Sequence, residues 1–335
     1  MIRPTFALLL LFADCGGYPM PEDRPEPELR RLPSERLPER SYTRISEITD
    51  VGLCAIDSAG VIVCSPTAAD GAIPAFSPVP WTVLDLPIVY WEFAAPSGLP
   101  FVRVLATDYV CGVDSAGALF CSAYPLSSLG APNLQGLDGG GPWAEIAGAR
   151  ASIFAVSVEG VARAIWGVSG ELLSPPQPIK TAVAAVDLRG SDLLLLHVDG
   201  HLEVLNFAGG ATWLSSHLPT DGGYTAARID YHHACASRPG AALWCRPQPD
   251  YQGSIDDLGF PPDYVGDVFA LMVQGTCHAG SPGVVCRGRW VNPATPPTEG
   301  NFVQLVVVPD LGCGLRDDGA VVCWPNLSYD WVSEL

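Results

Sequence analysis

Short runs of apolar residues, separated by turn residues, recur along most of the chain. In residues 111–121, Cys-Gly-Val-Asp-Ser-Ala-Gly-Ala-Leu-Phe-Cys, two apolar segments flank the turn sequence Asp-Ser-Ala-Gly. Apolar and turn residues in this order predict a β-hairpin. Sustained helical periodicity is missing from the sequence, whereas the turn residues glycine (35) and proline (32) are abundant. The pattern therefore favours an all-β fold with many turns.

The hairpin pattern repeats from about residue 41 onward. Residues 54–64, 111–121 and 313–323 keep both cysteines and a similar turn, and residues 235–245 and 277–286 keep the cysteines with altered turns. Residues 154–164 and 194–204 keep the hairpin without cysteines. A repeat of roughly 40–45 residues with several short strands is typical of propeller blades. Seven copies predict a seven-bladed β-propeller over residues 41–335.

Five of the copies are preceded by a strand that begins with an aromatic residue: Tyr42, Phe101, Trp143, Tyr224 and Phe302. Together with the hairpin Cys-Gly-Val-Asp-Ser-Ala-Gly-x-Val-x-Cys-Trp, this pattern resembles the RCC1 (regulator of chromosome condensation) repeat. It is most similar to the secreted, disulfide-bearing bacterial version, and the last copy keeps Cys323-Trp324. The resemblance covers nearly everything from residue 41 onward. It implies a seven-bladed propeller of four-stranded blades.

Ten of the eleven cysteines form local pairs, which implies an oxidising compartment. The alternative is a zinc site, but zinc sites favour Cys-x-x-Cys couplets, which the sequence lacks. If Asp114 lies opposite Ala118, Cys111 lies directly opposite Cys121, close enough for a disulfide. In the cysteine-free copies, Phe154, Leu194 and Val204 occupy those positions. We expect five structural disulfides: Cys54/Cys64, Cys111/Cys121, Cys235/Cys245, Cys277/Cys286 and Cys313/Cys323.

The N-terminal residues predict export. Residues 1–15 combine a positive start, a short apolar run and Cys15, and they resemble a bacterial lipoprotein signal that is lipidated at Cys15. The family pattern has a small residue where Asp14 stands, and the alternative is an ordinary signal that is cleaved off together with Cys15. Residues 16–40, with six prolines among alternating Glu and Arg, predict a disordered linker. We expect an outer-membrane or cell-surface lipoprotein, or alternatively a secreted protein.

Charge and motifs exclude several functions. The formal net charge of −18 and the lack of any Lys/Arg cluster argue against nucleic-acid binding. The sequence contains no Gly-x-Ser-x-Gly, phosphate-loop, dinucleotide-binding or His-Glu-x-x-His motif. His197 and His201, beside Asp199, and residues 230–233 are the nearest to a metal site, but we interpret such turn residues as solvated or as backbone caps. We therefore expect no enzyme, no cofactor and no metal.

Two segments interrupt the repeat, within residues 65–100 and 126–142, and we expect binding there. Large aromatic residues are common at interfaces, so the candidate contacts are Trp81, Tyr90, Trp91 and Phe93; packing inside or between blades is the alternative. The loops differ between blades, which favours one protein-facing site over a repeated glycan site. We expect a monomeric, non-enzymatic scaffold for a protein or glycan partner. One alternative is a secreted inhibitor or enzyme-regulating propeller, since RCC1-like folds include both exchange factors and a bacterial inhibitor of β-lactamase. Another alternative is a lectin-like glycan binder.

Overall fold

The computed structural model of the protein describes most of the predicted repeat region. The described residues are 41–46, 53–65, 91–107, 109–122, 134–137, 141–149, 152–166, 172–189, 191–206, 218–230, 233–247, 264–266, 268–272, 275–280, 282–288, 296–308 and 311–325. All of them fall within one compact unit, Arg31–Leu335. The predicted signal peptide with Cys15 and the linker at 16–40 lie outside the described residues. Within the described part of the chain, no helix is long and apolar enough to cross a membrane.

Seven antiparallel sheets succeed one another along the chain, and we number them as blades 1 to 7. In each sheet the strands are hydrogen-bonded in their sequence order, so every blade is a meander. Blades 1 to 3 have four strands, and blades 4 to 7 have three within the described ranges. The strands are, in blade 1, β1 (Tyr42–Ile45), β2 (Leu53–Asp57), β3 (Ile62–Ser65) and β4 (Trp91–Phe93); in blade 2, β5 (Phe101–Ala106), β6 (Val110–Asp114), β7 (Leu119–Ser122) and β8 (Leu134–Gly136); in blade 3, β9 (Trp143–Ala149), β10 (Ser152–Ser157), β11 (Ala162–Trp166) and β12 (Leu172–Lys180); in blade 4, β13 (Val183–Arg189), β14 (Asp192–His197) and β15 (Leu202–Asn206); in blade 5, β16 (Ala226–Ile229), β17 (His233–Ser237) and β18 (Trp244–Pro247); in blade 6, β19 (Phe269–Met272), β20 (Gly275–Ala279) and β21 (Val284–Gly288); and in blade 7, β22 (Phe302–Val308), β23 (Leu311–Arg316) and β24 (Val321–Pro325).

A hydrophobic cluster lies between each pair of neighbouring blades. Between blades 1 and 2, for example, Ile56 and Ile62 pack against Phe101 and Val104. The same arrangement joins blade 7 to blade 1, where the cluster includes Leu315, Val321, Tyr42 and Leu53. Because successive residues of a strand point to opposite faces of the sheet, each blade serves two clusters, and the second strand of blades 1 and 2 is buried along its whole length. The architecture is therefore a closed, seven-bladed β-propeller, as the repeats predict.

The first strand of each blade is the innermost one. The first strands of neighbouring blades lie against one another all round the ring, and blade 7 meets blade 1 in the same way through β22 and β1. The main contacts between blades involve only first and second strands. The first strands therefore surround the central channel of the propeller.

Main-chain hydrogen bonds join each blade to the next at the hairpin turns. The Phe101 N–H donates to the Gly60 carbonyl of blade 1 (2.9 Å), and the Trp143 N–H donates to the Gly117 carbonyl of blade 2 (2.8 Å). At the junction of blades 7 and 1, the Tyr42 N–H donates to the Gly319 carbonyl (2.7 Å). The ring is thus closed by the same bond that joins its interior blades.

The turn glycine meets two requirements at once. Gly117 has a φ of 82°, the left-handed region that glycine adopts without a Cβ clash. A Cβ at this position would also lie only 2.5 Å from the Pro142 Cβ, just before blade 3. Asp114 caps the turn, because its Oδ1 accepts hydrogen bonds from the N–H groups of Ala116 (2.9 Å) and Ala118 (2.8 Å). Asp114 is therefore a backbone cap of this turn.

The aromatic residue that leads a blade explains the glycine that follows the first cysteine in two of the hairpins. In blade 2 the Phe101 ring lies over Gly112, where a Cβ would be 2.6 Å from the ring. Phe101 itself is buried. In the same way, a Cβ on Gly314 would collide with the Phe302 ring of blade 7. The pattern of an aromatic residue followed by Cys-Gly therefore describes one packing unit within a blade.

The five predicted disulfides are present, and each joins directly opposed residues of one hairpin: Cys54–Cys64, Cys111–Cys121, Cys235–Cys245, Cys277–Cys286 and Cys313–Cys323. Their Cα atoms are 4.0–4.1 Å apart. In the cysteine-free blades, Phe154 lies opposite Ala164, and Leu194 lies opposite Val204. Because these positions all lie in or against the clusters between blades, the disulfides belong to the core.

Candidate functional site

The predicted contact residues have different positions. Trp81 and Tyr90 lie outside the described residues. Trp91 begins β4, opposite Cys64 in β3. Phe93 is only 7% exposed and packs in the cluster between blades 1 and 2. The structure therefore places Phe93 in the core between blades, which is the alternative that the sequence left open for these aromatic residues.

Both segments that interrupt the repeat begin on the same face of the ring. In blade 1, β3 ends at Ser65 and the next described strand begins at Trp91; in blade 2, β7 ends at Ser122 and β8 begins at Leu134. These exits lie at the strand ends opposite the hairpin turns that join neighbouring blades. We call this side the insertion face and the other the turn face. The two segments thus start from adjacent blades on one face.

Charged side chains from separate blades meet in the central channel. Glu145, on the first strand of blade 3, forms ion pairs with Arg103 of blade 2 (Nε to Oε2, 3.2 Å) and with Arg44 of blade 1 (Nη2 to Oε2, 3.7 Å). Blades 1 and 3 are not neighbours, so their side chains meet only across the channel. We call Arg44, Arg103, Glu145 and Arg228 the channel cluster.

Arg228 completes this cluster from blade 5. Burial lowers the pKa of the Arg44 guanidinium; Glu145 raises this pKa, and the positive charges of Arg103 and Arg228 lower it further. Arg228 lies on β16, the first strand of blade 5, which borders the channel, and its charge acts on Arg44 of blade 1. Arg44 and Arg103 therefore share the Glu145 carboxylate, and Arg228 adds a third positive charge nearby.

Asp187 lies near Arg228, and its carboxylate oxygens accept hydrogen bonds from main-chain N–H groups. Its Oδ2 accepts a hydrogen bond from the Ile229 N–H of blade 5 (2.8 Å), and its Oδ1 accepts one from the Leu188 N–H (3.1 Å). Burial raises the pKa of the Asp187 carboxyl, although the positive charge of Arg228 and both amides oppose this change. This carboxyl group joins blades 4 and 5, and its oxygens are already used by main-chain donors.

The histidines of the blade 4 hairpin have separate carboxylate partners. His197 Nε2 lies 2.9 Å from Glu203 Oε2, whose other oxygen accepts a hydrogen bond from Lys180 Nζ (2.9 Å). His201 Nδ1 lies 3.0 Å from Asp199 Oδ2. Burial acts to raise the pKa of Glu203, but the hydrogen bonds from Lys180 and His197 outweigh it and lower the pKa. In the part of the chain that the structure covers, no three His, Cys, Asp or Glu side chains are grouped to hold a metal ion.

Two further histidines are buried between strands. In blade 5, Asp230 and His233 close the loop between β16 and β17, and the His233 N–H donates to Asp230 Oδ1 (2.6 Å). In blade 6, the His278 ring lies 4.4 Å from the Tyr264 ring. Burial lowers the pKa of His278 to about 4, and the positive charge of Arg287 contributes to the decrease. His278 is therefore uncharged at neutral pH.

The channel cluster was not found from the sequence, although the repeats contain a signal for it. Arg44, Arg103 and Glu145 all stand two residues after the aromatic residue that begins their blade. The equivalent residues in blades 4 and 5, by their pairing register, are Ala185 and Ala226. Once first strands are assigned to the channel wall, charged residues at this one position indicate a charged channel.

No family model and no curated protein matches this sequence. Among solved structures, the CRINKLY WD40 ectodomain of the Arabidopsis thaliana receptor kinase ACR4 is similar, with a TM-score of 0.57 and 16% identity, over 85% of this chain and 96% of that chain. The ectodomain of the Physcomitrella patens receptor kinase CR4 has a TM-score of 0.55 and 16% identity, over 86% and 74%. At these identities the likeness shows the propeller fold alone.

Yeast RCC1 (Prp20), in its structure with Kap60, is also similar. Its TM-score is 0.48 at 13% identity, over 85% of this chain and 70% of that chain. A score this low carries no argument about family, so membership of the RCC1 repeat family remains a resemblance in the sequence.

Proposed function

We propose that this protein is an exported, RCC1-like propeller that acts as a non-enzymatic scaffold and binds a partner protein on its insertion face. The observation that carries this proposal is the exit of both repeat-interrupting segments from adjacent blades on one face. The first segment contains Trp81 and Tyr90, and aromatic side chains of this kind supply much of the binding energy at protein interfaces. Two different segments side by side favour one partner over seven equal sites.

Export and anchoring are supported by the cysteines. Five disulfides are typical of proteins that leave the reducing cytosol. The remaining cysteine, Cys15, follows the apolar N-terminal run, and its lipidation would attach the propeller to a bacterial membrane surface through the linker at 16–40. We propose that the mature protein is a monomeric lipoprotein of the outer membrane or cell surface.

The anchor is tested by mapping the mature N-terminus by mass spectrometry. We expect Cys15 as the first residue, carrying a lipid, and we expect the Cys15→Ser variant to leave the membrane fraction. An unmodified N-terminus downstream of residue 15 would replace the lipoprotein by a secreted protein.

Partner binding is tested by affinity capture with the full exported chain, beside a glycan array. We expect a captured protein to be lost when residues 66–90 are replaced by a short Gly-Ser linker, and to be weakened by Trp81→Ala with Tyr90→Ala. The matched control is Val158→Ser with Val198→Ser, which alters exposed apolar residues of the turn face and should leave capture unchanged.

Disulfide mapping on each variant shows whether the blades still form. Binding on the array without protein capture would favour the lectin-like alternative. Capture that survives the replacement of residues 66–90 would contradict the assignment of the insertion face, and capture of an enzyme whose activity then changes would identify the regulatory alternative.

A further inference from the structure

The channel cluster carries more positive than negative charge at a point where opposite sides of the ring meet. Arg44, Arg103 and Arg228 reach it from blades 1, 2 and 5, and within the described ranges Arg44 and Arg103 both form their ion pairs with Glu145. Both of its pairs use the same oxygen, Oε2. The cluster therefore brings two guanidinium groups to one partly buried carboxylate oxygen, with a third nearby.

This local excess contrasts with the rest of the molecule. The chain has a formal net charge of −18, so a positive cluster inside its channel is not a consequence of overall composition. Placing guanidinium groups together out of bulk water is unfavourable unless anions compensate them. Asp187 is a second carboxyl group that interacts with Arg228, and its oxygens also accept main-chain hydrogen bonds from Leu188 and Ile229. Three guanidinium groups therefore face two carboxyl groups in this region.

The channel wall is lined by small residues beside the arginines. At the position that Arg44, Arg103 and Glu145 occupy in blades 1 to 3, blades 4 and 5 have Ala185 and Ala226. Arg228 lies on the same strand as Ala226, two residues further along. Alanine contributes neither a charge nor a hydrogen-bonding side chain at these positions.

We propose that the central channel binds a small multivalent oxyanion, a carboxylate or a phosphate, between Arg44 and Arg103 on one side and Arg228 on the other. The planar guanidinium group presents parallel N–H donors that match both kinds of oxyanion and form charge-assisted hydrogen bonds. Glu145 positions Arg44 and Arg103, and its negative charge opposes the ligand. This site goes beyond the partner-binding role and uses the channel instead of the insertion face.

Burial and the neighbouring positive charges also favour anion binding, through their effect on Arg44. Because burial and the neighbouring arginines lower the pKa of Arg44, its charged form is held at a cost that a bound anion would offset. Binding is therefore expected to weaken steeply as salt increases, since dissolved ions screen the same charges.

The site is tested by isothermal titration calorimetry on the full exported chain, with citrate and pyrophosphate as the carboxylate and phosphate probes. We expect saturable binding of at least one probe with one site per chain. Arg228→Gln should weaken it by about tenfold or more, since it removes charge-assisted hydrogen bonds. Glu145→Gln should tighten binding, because it removes the opposing charge but keeps a polar side chain of the same size.

The matched control is Arg238→Gln, which makes the same change of charge in the same blade. Arg238 forms its ion pair with Asp221, and its side chain is 40% exposed, so this variant should bind as the unaltered chain does. Arg103→Lys keeps the charge and removes the paired donors, and it should weaken binding severalfold. Disulfide mapping shows that each variant has folded.

Three results would each overturn the site: no saturable binding of either probe, equal weakening by Arg238→Gln and Arg228→Gln, or weaker binding by Glu145→Gln. The first would make the cluster a structural ion-pair network. The second would show that the probes are attracted by positive charge in general and not by this site. The third would show that the site needs Glu145 to hold its arginines in place more than it is weakened by the Glu145 charge.

Discussion

Replacing Gly117 by alanine tests whether the turn glycines join the blades as well as forming turns. Gly117 has a φ of 82°, and a Cβ there would lie 2.5 Å from the Pro142 Cβ and 3.0 Å from the Trp143 backbone nitrogen. That nitrogen donates the hydrogen bond to the Gly117 carbonyl (2.8 Å) on which the junction of blades 2 and 3 depends. The methyl group therefore forces the start of blade 3 away from the turn.

Two costs add up in this variant. An alanine in the left-handed region costs about 1–2 kcal/mol relative to glycine. The collision with Pro142 adds about 1–3 kcal/mol, the usual cost of inserting a methyl group into a packed region. We therefore expect Gly117→Ala to lower the free energy of unfolding by about 2–5 kcal/mol.

Gly240→Ala is the matched control. Gly240 occupies the equivalent turn of blade 5 with a φ of 70°, but a Cβ there would have no atom within 4 Å. This variant therefore measures the conformational cost alone, about 1–2 kcal/mol. Both are measured by urea unfolding of the disulfide-intact chain, monitored by fluorescence and circular dichroism.

The decisive quantity is the difference between the two variants. If Gly117→Ala costs no more than Gly240→Ala, the close approach between turn and next blade contributes nothing, and the account of the junction is wrong. A difference of about 1 kcal/mol or more supports it.

Three further predictions concern other parts of the ring. Gln304→Leu should lower the unfolding free energy by about 2–4 kcal/mol and speed amide exchange at Ile45, because the Gln304 side chain of blade 7 bonds to both the N–H (3.1 Å) and the carbonyl (2.6 Å) of buried Ile45 in blade 1. Replacing Cys111 and Cys121 together by alanine should cost about 3 kcal/mol in urea unfolding, the loop-closure contribution of a bridge of this size. His278→Phe should flatten the pH dependence of stability between about pH 6.5 and 4. The pKa of His278 in the folded protein, about 4, lies below the ordinary 6.5, so the unfolded chain takes up a proton first as the pH falls. Acid should therefore remove on the order of 2 kcal/mol of folding stability from the unaltered protein, after allowance for solvent screening.

Each of these has a control. Asn301→Ala removes an exposed amide contact to Asp317 within blade 7 and should cost less than about 0.5 kcal/mol; an equal loss for Gln304→Leu would refute its role in closing the ring. Leucine and valine at the two cysteine positions copy the Leu194/Val204 pair of blade 4 and should recover part of the loss. An unchanged acid dependence in His278→Phe would show that other groups produce it.

The hairpins could be predicted from the sequence because their interactions are local. The Asp114 cap, the left-handed Gly117 and the opposition of Cys111 and Cys121 all involve residues within about one hairpin. Once the turn is known, its register fixes every cross-strand pair. For the same reason the shorter Cys277/Cys286 spacing was no obstacle, because its longer turn restores the opposed positions.

The channel and the ring closure could not be predicted in this way. Arg44 and Glu145 meet because the blades are arranged in a ring, and their approach depends on how many blades there are and how they are tilted. The contact between Gln304 and Ile45 likewise joins the two ends of the repeat region. Phe93 shows the same limit: an aromatic residue in an interruption of the repeat became core because the next blade covers it.

The confinement of every described disulfide to one hairpin has a mechanical consequence. Each covalent bond reinforces a single blade, while neighbouring blades are held together by apolar packing and hydrogen bonds, apart from the chain itself. Under tension applied through the chain, the ring should therefore part between blades before a cross-linked hairpin extends. A protein tethered to a surface would then yield in discrete steps of one blade, each able to dock again when the load is released.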